Sequence, residues 1–211
     1  MHTDIPMDRG EKKQYELEVI EKLIDEKGGL AKTSDIEALG IDYRRIISFV
    51  EEGRLRRVKN GYYTACTTEY PEEQLIATMY PDGVLTMESA LFSYGYLKKK
   101  PLGWSVAISK NCSKSRFKVE YPVVEPFYTE DEVLTLGVTE IPFADGTMKI
   151  YTKDRLICDV IKYQEKMDRE DFKEALRAYI DDDTKDVAEL MTFAIERKVR
   201  KKVQMMIGIW L

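Results

Sequence analysis

Residues 41–65, IDYRRIISFVEEGRLRRVKNGYYTA, decide the fold of the N-terminal part of the chain. Asp42 is placed to cap a helix that runs from Tyr43 to about Glu52. Asn60-Gly61 then separates two β-prone segments and favours a hairpin turn, because both residues tolerate a positive φ. The alternation of apolar and polar residues fails at Arg57-Val58, so we expect a β-bulge there. The stretch therefore predicts a helix followed by a two-stranded hairpin.

The chain before this stretch supplies two further helices. Apolar spacing predicts a helix from Glu11 to Lys27, which is stopped by Gly28. A brief helix and a tight turn at Gly40 follow. A short helix, a glycine turn, a second helix with outward arginines and then a hairpin form the pattern of a winged helix-turn-helix, which we predict for residues 1–66. The buried stripe of the first helix is expected to contain Tyr15, Val19, Leu23, Ile20 and Ile24.

Basic residues are concentrated on the second helix of this motif and on the hairpin. Six lie between Arg44 and Lys59 against two acids, although the whole chain carries a net charge of −5. Because DNA responds to local potential more than to total charge, the cluster predicts binding of double-stranded DNA. The alternative is a winged helix that serves only as a structural or protein-docking module. The candidate DNA-binding residues are Arg44, Arg45, Ser48, Arg56, Arg57, Lys59 and Asn60.

The composition argues against several kinds of active site. The one histidine, His2, lies in an N-terminal tail, so no imidazole is placed for a catalytic triad or a metal site. The three cysteines lack CxxC spacing, and no P-loop or GxGxxG motif occurs. We therefore expect no catalysis, no cofactor and no metal. With no apolar run that could act as a signal peptide or span a bilayer, we expect a cytoplasmic protein without a membrane partner.

The remainder of the chain, residues 72–211, is predicted to form an α+β domain with a small sheet and a helical C-terminal third. Predicted strands cover residues 104–109, 118–124, 132–141 and 148–151, with a turn at Asp145-Gly146. The last helix is expected to run from Thr184 to about Ile207. Its apolar stripe would contain Val187, Met191, Ile195, Val199 and Val203.

Charge is segregated along this second domain. The stretch from Ser89 to Val119 has seven basic residues and no acid, whereas the stretch from Glu120 to Thr147 has seven acids and no base. One interpretation is a pair of solvated faces that flank the strands. The functional interpretation is a surface for RNA or for a charged protein partner. The basic residues of this candidate surface are Lys98, Lys99, Lys100, Lys110, Lys114, Arg116 and Lys118.

Three stretches carry a family resemblance. Gly53 to Tyr63 looks like a wing with a glycine–aromatic strand. The second stretch runs from Thr86 through Tyr94-Gly95-Tyr96 and Pro101 to the Trp104 strand. The third is Asp154-Arg155-Leu156-Ile157-Cys158-Asp159, which is similar to an Arg-Thr-Leu-x-Asp run but has leucine in place of threonine. On the basis of these three stretches, the chain resembles the AbiEi family of antitoxins, from the type IV class of bacterial toxin–antitoxin systems. The resemblance covers nearly the whole chain.

The resemblance implies two roles. The winged helix would bind repeats in its own promoter and repress the operon. The second domain would counter a nucleotidyltransferase-like toxin, and no stable complex with that toxin is expected. Two alternatives are a plain transcriptional regulator, whose second domain senses a ligand or mediates assembly, and an RNA-binding second domain that uses the basic tract.

Overall fold

The computed structural model describes residues 8–143 and 146–210. Its contacts divide the chain into two compact units. The first holds the chain up to Met79 together with Lys118–Pro122, and the second holds Tyr80–Phe117 and the chain from Val123 onward. His2 and Asp145, on which two of the sequence predictions rest, lie outside the described residues.

The first unit is a winged helix-turn-helix. Its helices are α1 (Arg9–Glu26), α2 (Thr33–Glu37), α3 (Tyr43–Glu51) and α4 (Glu72–Met79). Its strands are β1 (Ala31–Lys32), β2 (Leu55–Lys59) and β3 (Tyr62–Ala65), which form an antiparallel sheet in the order β1-β3-β2. The register shifts between Arg57 and Lys59, which confirms the predicted bulge.

The core of the first unit lies between α1, α3 and the sheet. Ile46 and Phe49 of α3 are buried in it, as predicted. The stripe predicted for α1 is wrong in part, because Leu17 is buried with Ile20 and Ile24 whereas Tyr15 is 55% exposed. The buried face is therefore rotated from the one that apolar spacing alone suggested.

The helix α4 lies with this first unit, beyond the predicted boundary at residue 66. The Thr78 hydroxyl donates to the carbonyl oxygen of Gly28 at 3.2 Å. Gly29 has a φ of +94°, and a Cβ there would lie 2.9 Å from Tyr70 and 3.0 Å from Leu75. Only glycine fits this position, because the end of α1 approaches the start of α4 so closely.

The second unit is built on a five-stranded mixed sheet, with helices packed against it. Its strands are β4 (Val84–Leu85), β5 (Trp104–Ser109), β6 (Val124–Thr129), β7 (Val138–Phe143) and β8 (Gly146–Tyr151), in the order β6-β5-β4-β8-β7. Its helices are α5 (Met87–Ser93), α6 (Asp131–Leu134), α7 (Lys153–Lys162), α8 (Arg169–Ile180), α9 (Val187–Glu196) and α10 (Arg200–Met206). The predicted α+β class with a small sheet and a helical C-terminal third is confirmed.

Three element predictions for the second unit are wrong. The strand expected over 118–124 begins only at Val124, and the strand expected from residue 132 begins at Val138, after α6. The single helix expected over 184–207 is broken into α9 and α10, because Lys198 adopts a φ of 59°. The predicted apolar stripe is correct only in part, because Val199 and Val203 are buried whereas Ile195 is 53% exposed and α9 instead buries Leu190 and Ala194.

Candidate nucleic-acid interface

The helix α3 occupies the position of the recognition helix. Its N-cap Asp42 accepts the backbone N–H of Arg45 at 2.9 Å, as the sequence predicted. Burial of Ile46 and Phe49 fixes the rotation of the helix, which leaves Arg44 exposed. Among the residues that the structure describes, no ion pair or hydrogen bond engages the Arg44 guanidinium. This side chain is therefore available to an external acceptor.

The neighbouring Arg45 is engaged within the first unit. Its Nε lies 2.7 Å from Oε2 of Glu16 on α1, and the two side chains are only 28% and 14% exposed. An arginine in this pair holds α3 against α1. For Arg45 to reach a base edge, its ion pair with Glu16 would have to break, and the Glu16 carboxylate would remain largely buried.

Ser48 also has an internal partner. Its hydroxyl donates to Oε1 of Glu52 at 2.8 Å, and Lys13 pairs with the same carboxylate. These hydrogen bonds, first that from Lys13 and then that from Ser48, hold the pKa of Glu52 below its usual range. The carboxylate therefore stays ionised beside Lys13 at the C-terminal end of α3.

The wing carries the other four candidate residues. Arg57 donates to Oδ1 of Asn60 at 2.8 Å across the hairpin, which stiffens the turn. The Nζ of Lys59 lies 4.3 Å from the ring centroid of Tyr62. The guanidinium of Arg56 lies 5.0 Å from the ring centroid of Tyr121. The candidate DNA-binding residues thus lie on α3 and the wing, but only Arg44 has no partner among the described residues.

The sequence could not reveal the partners Glu16, Glu120 and Tyr121. Glu16 lies on α1, and the other two come from a segment far along the chain. An arginine-rich stretch shows where positive charge is concentrated, but the charges that meet it depend on tertiary packing.

Comparison with known protein families gives a match to the winged helix-turn-helix. Residues 18–65 match a family described as a transcriptional regulator, AbiEi antitoxin. The winged helix is similar to that of AbiEi antitoxin regulators. The match runs from within α1 to the end of β3, so it covers the helix-turn-helix and the wing. It confirms the predicted resemblance in this region and supports a role as antitoxin and regulator. A search of curated proteins gives no match.

Beyond the AbiEi match, the candidate basic surface of the second domain is not one patch. Lys98, Lys99 and Lys100 are exposed in the loop before β5, whereas Lys110 directly follows β5. A six-residue strand is about 17–20 Å long, so the two groups lie at opposite ends of it. Lys114 is exposed beyond Lys110, Arg116 is paired with Asp82 at 2.7 Å, and Lys118 lies with the first unit.

The third stretch of the AbiEi resemblance opens α7 and carries a buried ionic cluster. Asp159 lies between two guanidinium groups, with Arg155 Nη1 at 2.5 Å and Arg197 Nε at 2.7 Å. Arg155 is fully buried and lies 4.3 Å from the ring centroid of Tyr151. The resemblance singled out residues 154–159, and their burial shows that this motif lies inside the core.

Among the described residues, no helix is both long and apolar enough to cross a membrane. Within the same residues, no group of three or more histidine, cysteine, aspartate or glutamate side chains is arranged to hold a metal ion.

Proposed function

We propose that the protein is an antitoxin that also binds double-stranded DNA in its own promoter and represses transcription, without catalysis or a cofactor. The observation that carries the DNA-binding part is the exposed, unpartnered Arg44 near the start of α3. Recognition helices place such side chains against base edges in the major groove. A guanidinium can bind a guanine there with two hydrogen bonds. Because its operator is chromosomal or plasmid DNA, we place the protein in the cytoplasm.

The other candidate residues have different roles in this proposal. Lys59 and Asn60 at the wing meet phosphates and position the domain without reading sequence. Arg45 and Ser48 set the position of α3 through Glu16 and Glu52. Specificity would then depend mainly on Arg44, and the wing would supply affinity.

Binding to the DNA upstream of the gene tests this proposal. The full-length protein should bind that duplex more tightly than a scrambled duplex of the same length and composition. The affinity should fall with salt, with a log–log slope of about −0.9 for each phosphate neutralised. A reporter under the same promoter should be repressed. Equal affinity for both duplexes, or an affinity that does not change with salt, would contradict promoter recognition.

We further propose that residues 72–211 antagonise a nucleotidyltransferase-like toxin, without a stable complex between the two proteins. The family description supports an antitoxin, and the exposed lysines give the second unit a surface for a charged partner. Co-expression with a toxin encoded by the neighbouring gene should restore growth. If no such gene is present, the plain regulator is favoured. Retention of labelled RNA by the full chain, but not by a variant lacking the exposed lysines, would favour an RNA-binding domain.

A further inference from the structure

Residues 118–122 form a strap along the wing. In sequence they lie between two segments of the second unit, yet by contact they belong to the first. The strand β2 is an edge of the three-stranded sheet, and the strap lies against that edge. Val119 forms an antiparallel bridge with Lys59, and the backbone N–H of Glu120 donates to the carbonyl oxygen of Val58 at 2.7 Å.

The side chains of the strap engage the arginines of the wing. Oε1 of Glu120 lies 3.7 Å from Nε of Arg57. The ring of Tyr121 faces the guanidinium of Arg56 at 5.0 Å. Two of the candidate phosphate-binding residues therefore have an acidic and an aromatic partner supplied from the same short segment.

We propose that the strap is an autoinhibitory element of the wing, in which Glu120 and Tyr121 occupy Arg57 and Arg56 in place of DNA phosphates. The inference rests on the proposed DNA binding and adds its regulation. A carboxylate offers an arginine the same kind of charged acceptor as a phosphate. When Arg57 is paired with Glu120, its charge is compensated and attracts DNA less.

The ion pair between Arg57 and Glu120 is weak enough to break and form again. The Arg57 and Glu120 side chains are 37% and 62% exposed, and ion pairs at such exposed places are weak. The Nε–H of Arg57 is buried and makes no hydrogen bond within the described residues, so Glu120 is held at 3.7 Å by charge and not by a hydrogen bond to this group. DNA, with its dense phosphate charge, can therefore displace the carboxylate.

The residues on either side of the strap belong to the second unit and make contacts within it. Phe117, just before it, stacks on Tyr80 with ring centroids 5.0 Å apart. Val123, just after it, accepts the backbone N–H of Trp104 at 2.8 Å.

The substitution Glu120→Gln tests the autoinhibitory role in the full-length protein. It removes the charge but keeps the shape and the backbone contacts. The dissociation constant for promoter DNA should fall by about two- to fivefold, the range expected from an exposed ion pair. Its log–log salt slope should steepen by about one, because one more phosphate is then neutralised. Glu26→Gln, an exposed acid on α1 outside the wing and α3, is the control for simple loss of negative charge and should change neither quantity.

A double variant shows whether Glu120 acts through Arg57. In an Arg57→Ala background, Glu120→Gln should give no further gain. Unchanged or weaker DNA binding by Glu120→Gln, or a gain that persists without Arg57, would overturn the autoinhibitory role. If the wild-type protein does not bind promoter DNA at all, the proposed function fails and the inference with it. If the wild-type protein binds promoter DNA but Glu120→Gln does not change that binding, the autoinhibitory role is wrong and the proposed DNA binding stands.

Discussion

Arg197 donates from Nε to Oδ1 of Asp159 at 2.7 Å, across 38 positions of the chain, and both side chains are only 2% exposed. Arg155, on the same helix as Asp159, lies against the other carboxylate oxygen. One carboxylate therefore pairs with two buried guanidinium groups and joins α7 to the end of α9. A cluster of this kind depends strongly on its central member.

Replacement of that central member should be severe. Asp159→Ala leaves Arg155 and Arg197 buried without an anion, so the free energy of unfolding should fall by about 3–5 kcal/mol. Urea denaturation followed by circular dichroism measures the change. Asp183→Ala, at an exposed position, is the control and should stay within about 0.5 kcal/mol of wild type. A loss at Asp159 no larger than that of the control would show that the cluster contributes little.

The two adjacent arginines of α3 should behave differently. Arg44→Ala should weaken operator binding by about 1–3 kcal/mol, the value of one bidentate contact to a base, and leave stability unchanged. Arg45→Ala should instead lower stability by about 1–3 kcal/mol, because the largely buried Glu16 loses its 2.7 Å partner and keeps only Lys12 at 4.0 Å. Gel-shift titration and urea denaturation separate the two effects. Lys22→Ala on the exposed face of α1 is the control for loss of positive charge. Identical profiles for both arginine variants would reject this division.

Stability should depend on pH through Asp182. Burial acts against its ionisation, but hydrogen bonds from Lys153, Thr184 and Tyr96 outweigh burial and hold the pKa of Asp182 well below its usual range. A lowered pKa in the folded state stabilises the protein above the ordinary aspartate pKa of about 4. That contribution is lost as pH falls through the folded value. Asp182→Asn should therefore reduce stability at pH 7, and the difference from wild type should shrink below about pH 4.

Urea denaturation of both proteins between pH 7 and pH 3 measures this difference, with Asp183→Asn as the matched exposed control. A constant difference across the range would show that the charge of Asp182 is not the stabilising feature.

The two groups of exposed lysines should be separable in function. Lys98, Lys99 and Lys100 are consecutive in one loop, whereas Lys110 and Lys114 lie past the other end of β5. Charge reversal of the first three to glutamate should impair rescue from the toxin. Reversal of Lys110 and Lys114 should leave rescue intact. Growth on co-expression is the readout, and circular dichroism should show both variants folded, because exposed charges seldom affect stability. Full rescue by the first variant would remove this loop as the antitoxicity surface.

An isolated DNA-binding fragment should need α4. Leu75 is buried and packs beside Gly29 at the end of α1. Burial of a leucine side chain contributes about 1.5–3 kcal/mol, so residues 1–79 should resist urea better than residues 1–70. Equal midpoints for the two fragments would support the boundary near residue 66 that the sequence predicted.

Most of the winged helix could be predicted from the sequence, because its signals act over a few residues. The Asp42 cap, the Asn60-Gly61 turn and the break in alternation at Arg57 each specify local backbone geometry, and the structure confirms all three. Where a single residue adopts an unusual backbone conformation, as Lys198 does, periodicity gave one helix instead of two.

The sequence by itself determined the motif, the position of its recognition helix and the concentration of positive charge on it. Only the tertiary structure decided which of those charges is available. Arg45 meets Glu16 from α1, and Arg57 meets Glu120 from a segment more than 60 residues away along the chain. The contiguous basic tract is divided by the length of β5. Caps, turns and periodicity depend on neighbours in sequence, whereas a charge is compensated by whatever packing brings within a few ångströms of it.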